Sequence, residues 1–322
     1  VRPTILPLFA ALAVACFSAC HDPSPPTSAP RRAARAGAPA AQAAPAPPPP
    51  APAATAPMAA AVTPAALEAR AADLRARLPA GFTVLVEPPF VVVGDGGPAL
   101  VARHARQTVR WAVTLLKQDF FARDPDRVLD VFLFEGKDSY EKNARALFGD
   151  QPTTPYGYYS SEHGALIMNI ATGGGTLVHE IVHPFVEANV PSCPAWINEG
   201  LGSLFEGSGE RDGHIVGAVN WRLPGLQRAI RDKALPPFDA LFASGERAFY
   251  EADPGTNYAQ ARYLLYWLQE HGRLQAFWKA YAAGRERDPS GREAVLEAIG
   301  EPDLAGFQRR WERWVMGLRF GA

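Results

Sequence analysis

The segment TLVHEIVH, residues 176–183, decides how the rest of the chain is read. Two histidines stand four positions apart, and a glutamate directly follows the first. Three glycines, 173–175, form a flexible loop before it, Thr176 is placed to cap a helix, and the run itself continues with helical spacing. On a helix, residues i and i+4 share a face, so His179 and His183 project side by side. Two neutral imidazoles so placed suit Zn2+, which binds histidine nitrogen at about 2.0–2.1 Å. Glu180 is rotated off that pair. It approaches a metal-bound water without becoming a ligand, which is the place of the general base in an H-E-x-x-H arrangement.

The next segment, CPAWINEGLGSLFEG (193–207), supplies Glu199 as a third ligand. A helix, a turn and a returning helix bring it back over the histidine pair. Two histidines and one glutamate leave the fourth position open for water, the catalytic rather than the structural pattern of zinc sites. Pro184, directly after His183, is expected to kink or loosen the helix just beyond the ligand pair.

Taken together, the two segments resemble the gluzincin zinc metallopeptidases. The likeness is closest to the aminopeptidase-N-like, peptidase MA-like branch, whose third-ligand helix reads W-x-N-E-G. Here that pattern is Trp196, Asn198, Glu199 and Gly200, and the likeness covers residues 156 to 270. The resemblance implies a thermolysin-like catalytic core and hydrolysis of peptide bonds, with Zn2+ held by His179, His183 and Glu199 and Glu180 as general base. It also implies a tyrosine that donates a hydrogen bond to the tetrahedral intermediate. That role falls on Tyr258 in YAQARYLLYWLQE (258–270), although the family's Lys-Gly is replaced by Gln260-Ala261; Tyr263 and Tyr266 are the rivals. Glu206, seven residues after Glu199 as in the family, and Glu187, four after His183, are rival candidates to orient a ligating histidine. Aminopeptidases of this branch hold the substrate's free amine with a glutamate on a strand; the strand here, GALIMN, has none. An endopeptidase is therefore expected, with strand 164–170 pairing with an extended peptide or protein substrate. A zinc hydrolase of non-peptide substrates and a non-catalytic binding lipoprotein that keeps the fold are the alternatives. The intact His179-Glu180-His183-Glu199 set argues against the second.

Outside this region, the chain has 322 residues, 48% of them hydrophobic and 20% charged, enough for one large domain or two small ones. A formal net charge of −1 gives no electrostatic footprint for nucleic acid. Residues 1–20 read as a secretory signal peptide ending like a bacterial lipobox, with Cys20 the lipidated residue and Cys16 the alternative. The protein is thus expected to be exported and anchored to a membrane of the cell envelope by lipid. Residues 21–66 read as a disordered Pro/Ala-rich linker: 13 of the chain's 31 prolines fall between 23 and 64, with no aliphatic or aromatic bulk to build a core. Cys193 is the remaining cysteine, so no intramolecular disulfide framework is expected in the mature chain.

The folded part is expected to begin near Leu67, with an α+β arrangement. Residues 67–175 read as an α/β N-terminal part on a small mixed sheet: helix 67–78, strand 90–93, helix 98–121, strand 127–136, helix 138–149, then a hairpin through YGYYS and GALIMNI. Residues 176–322 read as the zinc-binding part and an all-helical C-terminal part, with only helices after 196 and with Ser290 and Asp303 as capping residues.

Overall fold

A computed structural model describes residues 62–321. The signal segment, Cys16, Cys20 and the linker up to residue 61 lie outside the described residues. No helix among the described residues is long and apolar enough to cross a membrane.

The fold is α+β. Helix α1 (Pro64–Arg77) begins three residues before Leu67, at a proline suited to the first helical position. Thr63 caps it by accepting the Ala66 N–H at 3.1 Å. Strands β1 (Thr83–Glu87) and β2 (Phe90–Gly94) follow. The expected long helix runs as α2 (Pro98–His104), a π-helical segment at Ala105–Arg110, and α3 (Trp111–Asp119). Then come β3 (Leu129–Phe134), α4 (Lys137–Phe148), β4 (Gly157–Ser160) and β5 (Ala165–Asn169). The sheet order is β1-β2-β3-β5-β4, parallel across β2-β3-β5 and antiparallel at both edges.

The three central strands are buried on both faces, so apolar residues occupy successive positions along them. Val91, Val93, Phe132, Phe134 and Ile167 form one apolar layer with Leu67 and Leu74 of α1 and Tyr140 of α4. Val92, Val131, Leu133, Leu166 and Met168 turn the other way, into the larger core shared with α3 and the helix that follows β5. That helix, α5 (Gly174–Asn189), carries the His-Glu-x-x-His segment.

The order of strands corrects one expectation. Strand β5 lies between β3 and β4, so both its edges are already paired and it cannot take up an extended substrate. The free edge on this side is β4.

Two local expectations at α5 also change. Its N-cap is Gly173 and not Thr176, so the glycines are not a free loop; Gly174 and Gly175 form the first turn. Close packing keeps residue 175 a glycine: a Cβ there would stand 2.2 Å from the Glu206 carbonyl oxygen. Pro184 offers no N–H to the Glu180 carbonyl, yet α5 continues through it to Asn189.

After α5 come α6 (Ala195–Phe205) and a hairpin of β6 (Ser208–Arg211) and β7 (His214–Gly217). The expectation of helices alone after residue 196 is therefore wrong here. The turn is Asp212-Gly213, both with positive φ (54° and 80°), as a two-residue hairpin turn of this type requires. Its strands are short, and β6 is mostly exposed, so no hydrophobic alternation marks them. Asp119 ties the hairpin to α3: its carboxylate accepts the Ile215 N–H at 2.9 Å and pairs with His214 Nδ1 at 2.6 Å.

Helices α7 (Leu223–Arg231), α8 (Phe238–Phe242), α9 (Glu246–Glu251), α10 (Pro254–Glu270), α11 (Leu274–Gly284), α12 (Arg292–Ile299) and α13 (Leu304–Gly317) complete the chain. Asp303 caps α13 as expected. Ser290 accepts the Arg292 N–H from one residue outside the N-cap, Gly291. Helix α6 is sandwiched between α5 and α10, and this sandwich positions the site.

Candidate metal centre

Helix α5 presents His179, Glu180 and His183 with ligand atoms within 4.8 Å of one another. Helix α6 brings Glu199 against them: its Oε2 lies 3.1 Å from His179 Nε2 and 3.9 Å from His183 Nε2. In a tetrahedral site with bonds of about 2.1 Å, donor atoms stand about 3.4 Å apart, so these separations straddle what one shared ion demands. His179, Glu180 and Glu199 are each 3% exposed, while the His183 side chain, 12% exposed, lies nearest solvent. The donor set fits a divalent metal: two imidazoles and one carboxylate, buried and converging.

Two of the donors are held from behind. The amide oxygen of Asn198 lies 3.0 Å from His183 Nδ1. An amide oxygen only accepts, so it is matched by a proton on Nδ1, with Nε2 on the side of the centre. Tyr250 of α9 donates its hydroxyl to Glu199 Oε1 at 2.7 Å, which leaves Oε2 for the imidazole side. Burial opposes ionisation of Glu199, but His183, His179 and Tyr250 outweigh it and hold its carboxyl down at about 2. Gly202 lets α6 pass close to His179; a Cβ there would stand 2.9 Å from the Nε2 atom.

Glu180 is arranged differently from Glu199. Its Oε2 accepts the Tyr159 backbone N–H from edge strand β4 at 3.0 Å, while Oε1 is buried without a hydrogen-bond partner. Burial pushes this carboxyl up to about 7, with Glu199 and Glu206 adding and His183 and the Tyr159 N–H opposing. A carboxylate with one oxygen tethered and the other unsatisfied is suited to take up and return a proton.

Tyr258 is fully buried, and its hydroxyl has no hydrogen-bond partner. Burial, with the nearby Glu199 carboxylate, drives its ionisation far above the usual phenol range, so the group stays protonated as a donor. Its rivals point elsewhere. The Tyr263 hydroxyl bonds the Asn220 backbone, and Tyr266 packs on Tyr263 and Trp314.

Neither acid expected to orient a histidine does so. Glu206 is bound to Arg222 at 3.2 Å, and Glu187 meets the Tyr159 hydroxyl at 3.4 Å. Asn198 fills that place for His183. It stands inside the W-x-N-E-G pattern, so its position was visible in sequence although its role was not. Tyr250 and Gly202 carry no local signal, because their importance comes from helix packing.

No protein-family model matches the chain, and no curated protein matches it.

Proposed function

We propose that this protein is a zinc-dependent peptide hydrolase with a thermolysin-like core of gluzincin type, an endopeptidase rather than an aminopeptidase. One observation carries the reading: His179, His183 and Glu199 converge in a buried site beside a glutamate, Glu180, whose Oε1 is unsatisfied. Zinc held by those three residues would act as a Lewis acid and lower the pKa of water toward about 7. The chain's own residues supply the rest. Glu180 Oε1 takes a proton as water attacks the peptide carbonyl and returns it to the leaving amine, while the Tyr159 N–H keeps the carboxylate in register. Tyr258 donates its hydroxyl proton in a hydrogen bond to the developing oxyanion. The free edge of β4 offers backbone groups to an extended substrate in place of β5. Export and lipid anchoring through Cys20 belong to the same proposal and rest on the sequence of the N-terminal segment.

The test is a peptide-library cleavage assay on wild type and Glu180→Gln, each with and without chelator. Wild type is expected to cleave, to stop under chelator, and to recover with zinc. Glu180→Gln is expected to keep the metal and lose cleavage. Equal rates in the two proteins would refute the mechanism.

A further inference from the structure

Helices α6 and α10 pack face to face, and the seam between them is polar. Glu199, Ser203 and Glu206 share a face of α6; Tyr258 and Arg262 share a face of α10. Arg262 is 0% exposed. Its Nε donates to the Ser203 carbonyl at 2.9 Å and its Nη2 to the Ala218 carbonyl, but Nη1 is buried with no hydrogen-bond partner. Two further polar atoms on residues of this region are also buried without partners, Ser203 Oγ and Asn220 Nδ2. Asn220 belongs to the same cluster through Tyr263, whose hydroxyl it bonds and whose ring lies 4.7 Å under the Arg262 guanidinium.

Arg262 has no carboxylate of its own. Glu206 is engaged by Arg222, whose side chain is only 7% exposed. Among the described residues no carboxylate comes within ion-pair distance of Arg262. Burial pulls the Arg262 guanidinium down to about 10, with Arg222 adding to the effect and Glu206 opposing it. An unpaired buried cation is among the costlier features a fold can carry, and buried donors ordinarily find partners.

We infer that the α6–α10 seam holds a small monovalent anion, bound by Arg262 Nη1 with Asn220 Nδ2 and Ser203 Oγ as neighbouring donors. The unmatched nitrogens are donors, so the group that satisfies them accepts hydrogen bonds, and an anion does so while giving the guanidinium a partner. The ligand chemistry is that of a halide or a small carboxylate. An anion here braces α10 one turn from Tyr258, and α6 one turn from Glu199.

The test reads binding and stability rather than catalysis, so it stands or falls apart from the hydrolase proposal. Thermal unfolding of the full chain is followed in chloride, formate or gluconate at one ionic strength, and crystals are grown in bromide for anomalous diffraction. A saturable rise in Tm with chloride, and a bromide peak at hydrogen-bond distance from Arg262 Nη1, are the expected results. A rise with formate alone would identify a carboxylate site, and would equally support the inference. Arg262→Met is expected to abolish the response. Should that variant not fold, Asn220→Ala serves instead, and is expected to raise the half-saturating anion concentration about tenfold. An internal water only at Nη1 with no anion-specific change in Tm would overturn the inference, as would a response unchanged in the variants.

Discussion

Replacing Gly202 with alanine tests whether the close pass of α6 over His179 matters. The added Cβ would stand 2.9 Å from Nε2, 3.0 Å from Cδ2 and 3.1 Å from Cε1 of that imidazole. Favourable carbon contacts begin at about 3.5 Å, so the ring or the helix must retreat by roughly half an ångström. The ring has little room. It lies 3.1 Å from Glu199 through Nε2, packs edge-on against His183 at 5.0 Å, and is 3% exposed. Alanine gains about 0.5–1 kcal/mol over glycine in a helix, while overpacking costs about 1–3 kcal/mol. The net expectation is a loss on the order of 1 kcal/mol in denaturant unfolding of the metal-free protein. The larger effect falls on the metal. Disturbing a ligand's support typically lowers metal affinity about 10–100-fold, and chelator competition measures this directly. Gly225→Ala is the control: that glycine is exposed in α7 and its Cβ would meet nothing. It is expected to leave metal affinity unchanged and to gain about 0.5–1 kcal/mol. Wild-type affinity and stability in Gly202→Ala would refute the geometry described for His179.

The two site tyrosines should separate by readout. Tyr250→Phe removes the donor to Glu199 Oε1 and is expected to weaken metal binding about tenfold in chelator competition. Tyr258→Phe removes the proposed oxyanion donor and is expected to keep the metal while lowering kcat about 10²–10³-fold; equal effects on both readouts in both variants would undo the assignment. At the hairpin, Asp119 holds the His214 pKa above its ordinary value, first by hydrogen bond and then by charge. A raised folded pKa stabilises the protonated form, so this contribution is complete below about pH 6.5 and is lost as pH rises through the folded value. NMR titration should place His214 above 6.5 in wild type and lower in Asp119→Asn; identical titrations would contradict the pairing.

Much of the site could be read from sequence because its chemistry is local. His179, Glu180 and His183 depend only on helical spacing, and Glu199 on a short motif one helix later. The central strands were legible because Val, Phe, Leu and Ile dominate them, with Asp130 of β3 the one charged residue, paired to Arg70. What escaped depends on which distant segments meet. Nothing in GALIMN says that β5 has neighbours on both sides. The polar hairpin 208–217 shows no alternation, and only Asp212-Gly213 signals it. Thr176 has the chemistry of an N-cap, but the helix starts at Gly174, in a glycine run whose local sequence does not announce a helix. Tyr250 reaches Glu199 only because α9 folds back over α6. Glu206 keeps the spacing expected of a histidine-orienting acid, yet Arg222, brought in by the start of α7, claims it instead.

Elemental analysis of the purified mature domain tests the central claim most directly, namely that His179, His183 and Glu199 together hold one zinc ion. The expected result is one zinc per chain in the wild type and in Glu180→Gln, and its loss in His179→Ala and Glu199→Ala variants that still fold. Absence of stoichiometric metal in the wild type, even after zinc is supplied, would contradict the account.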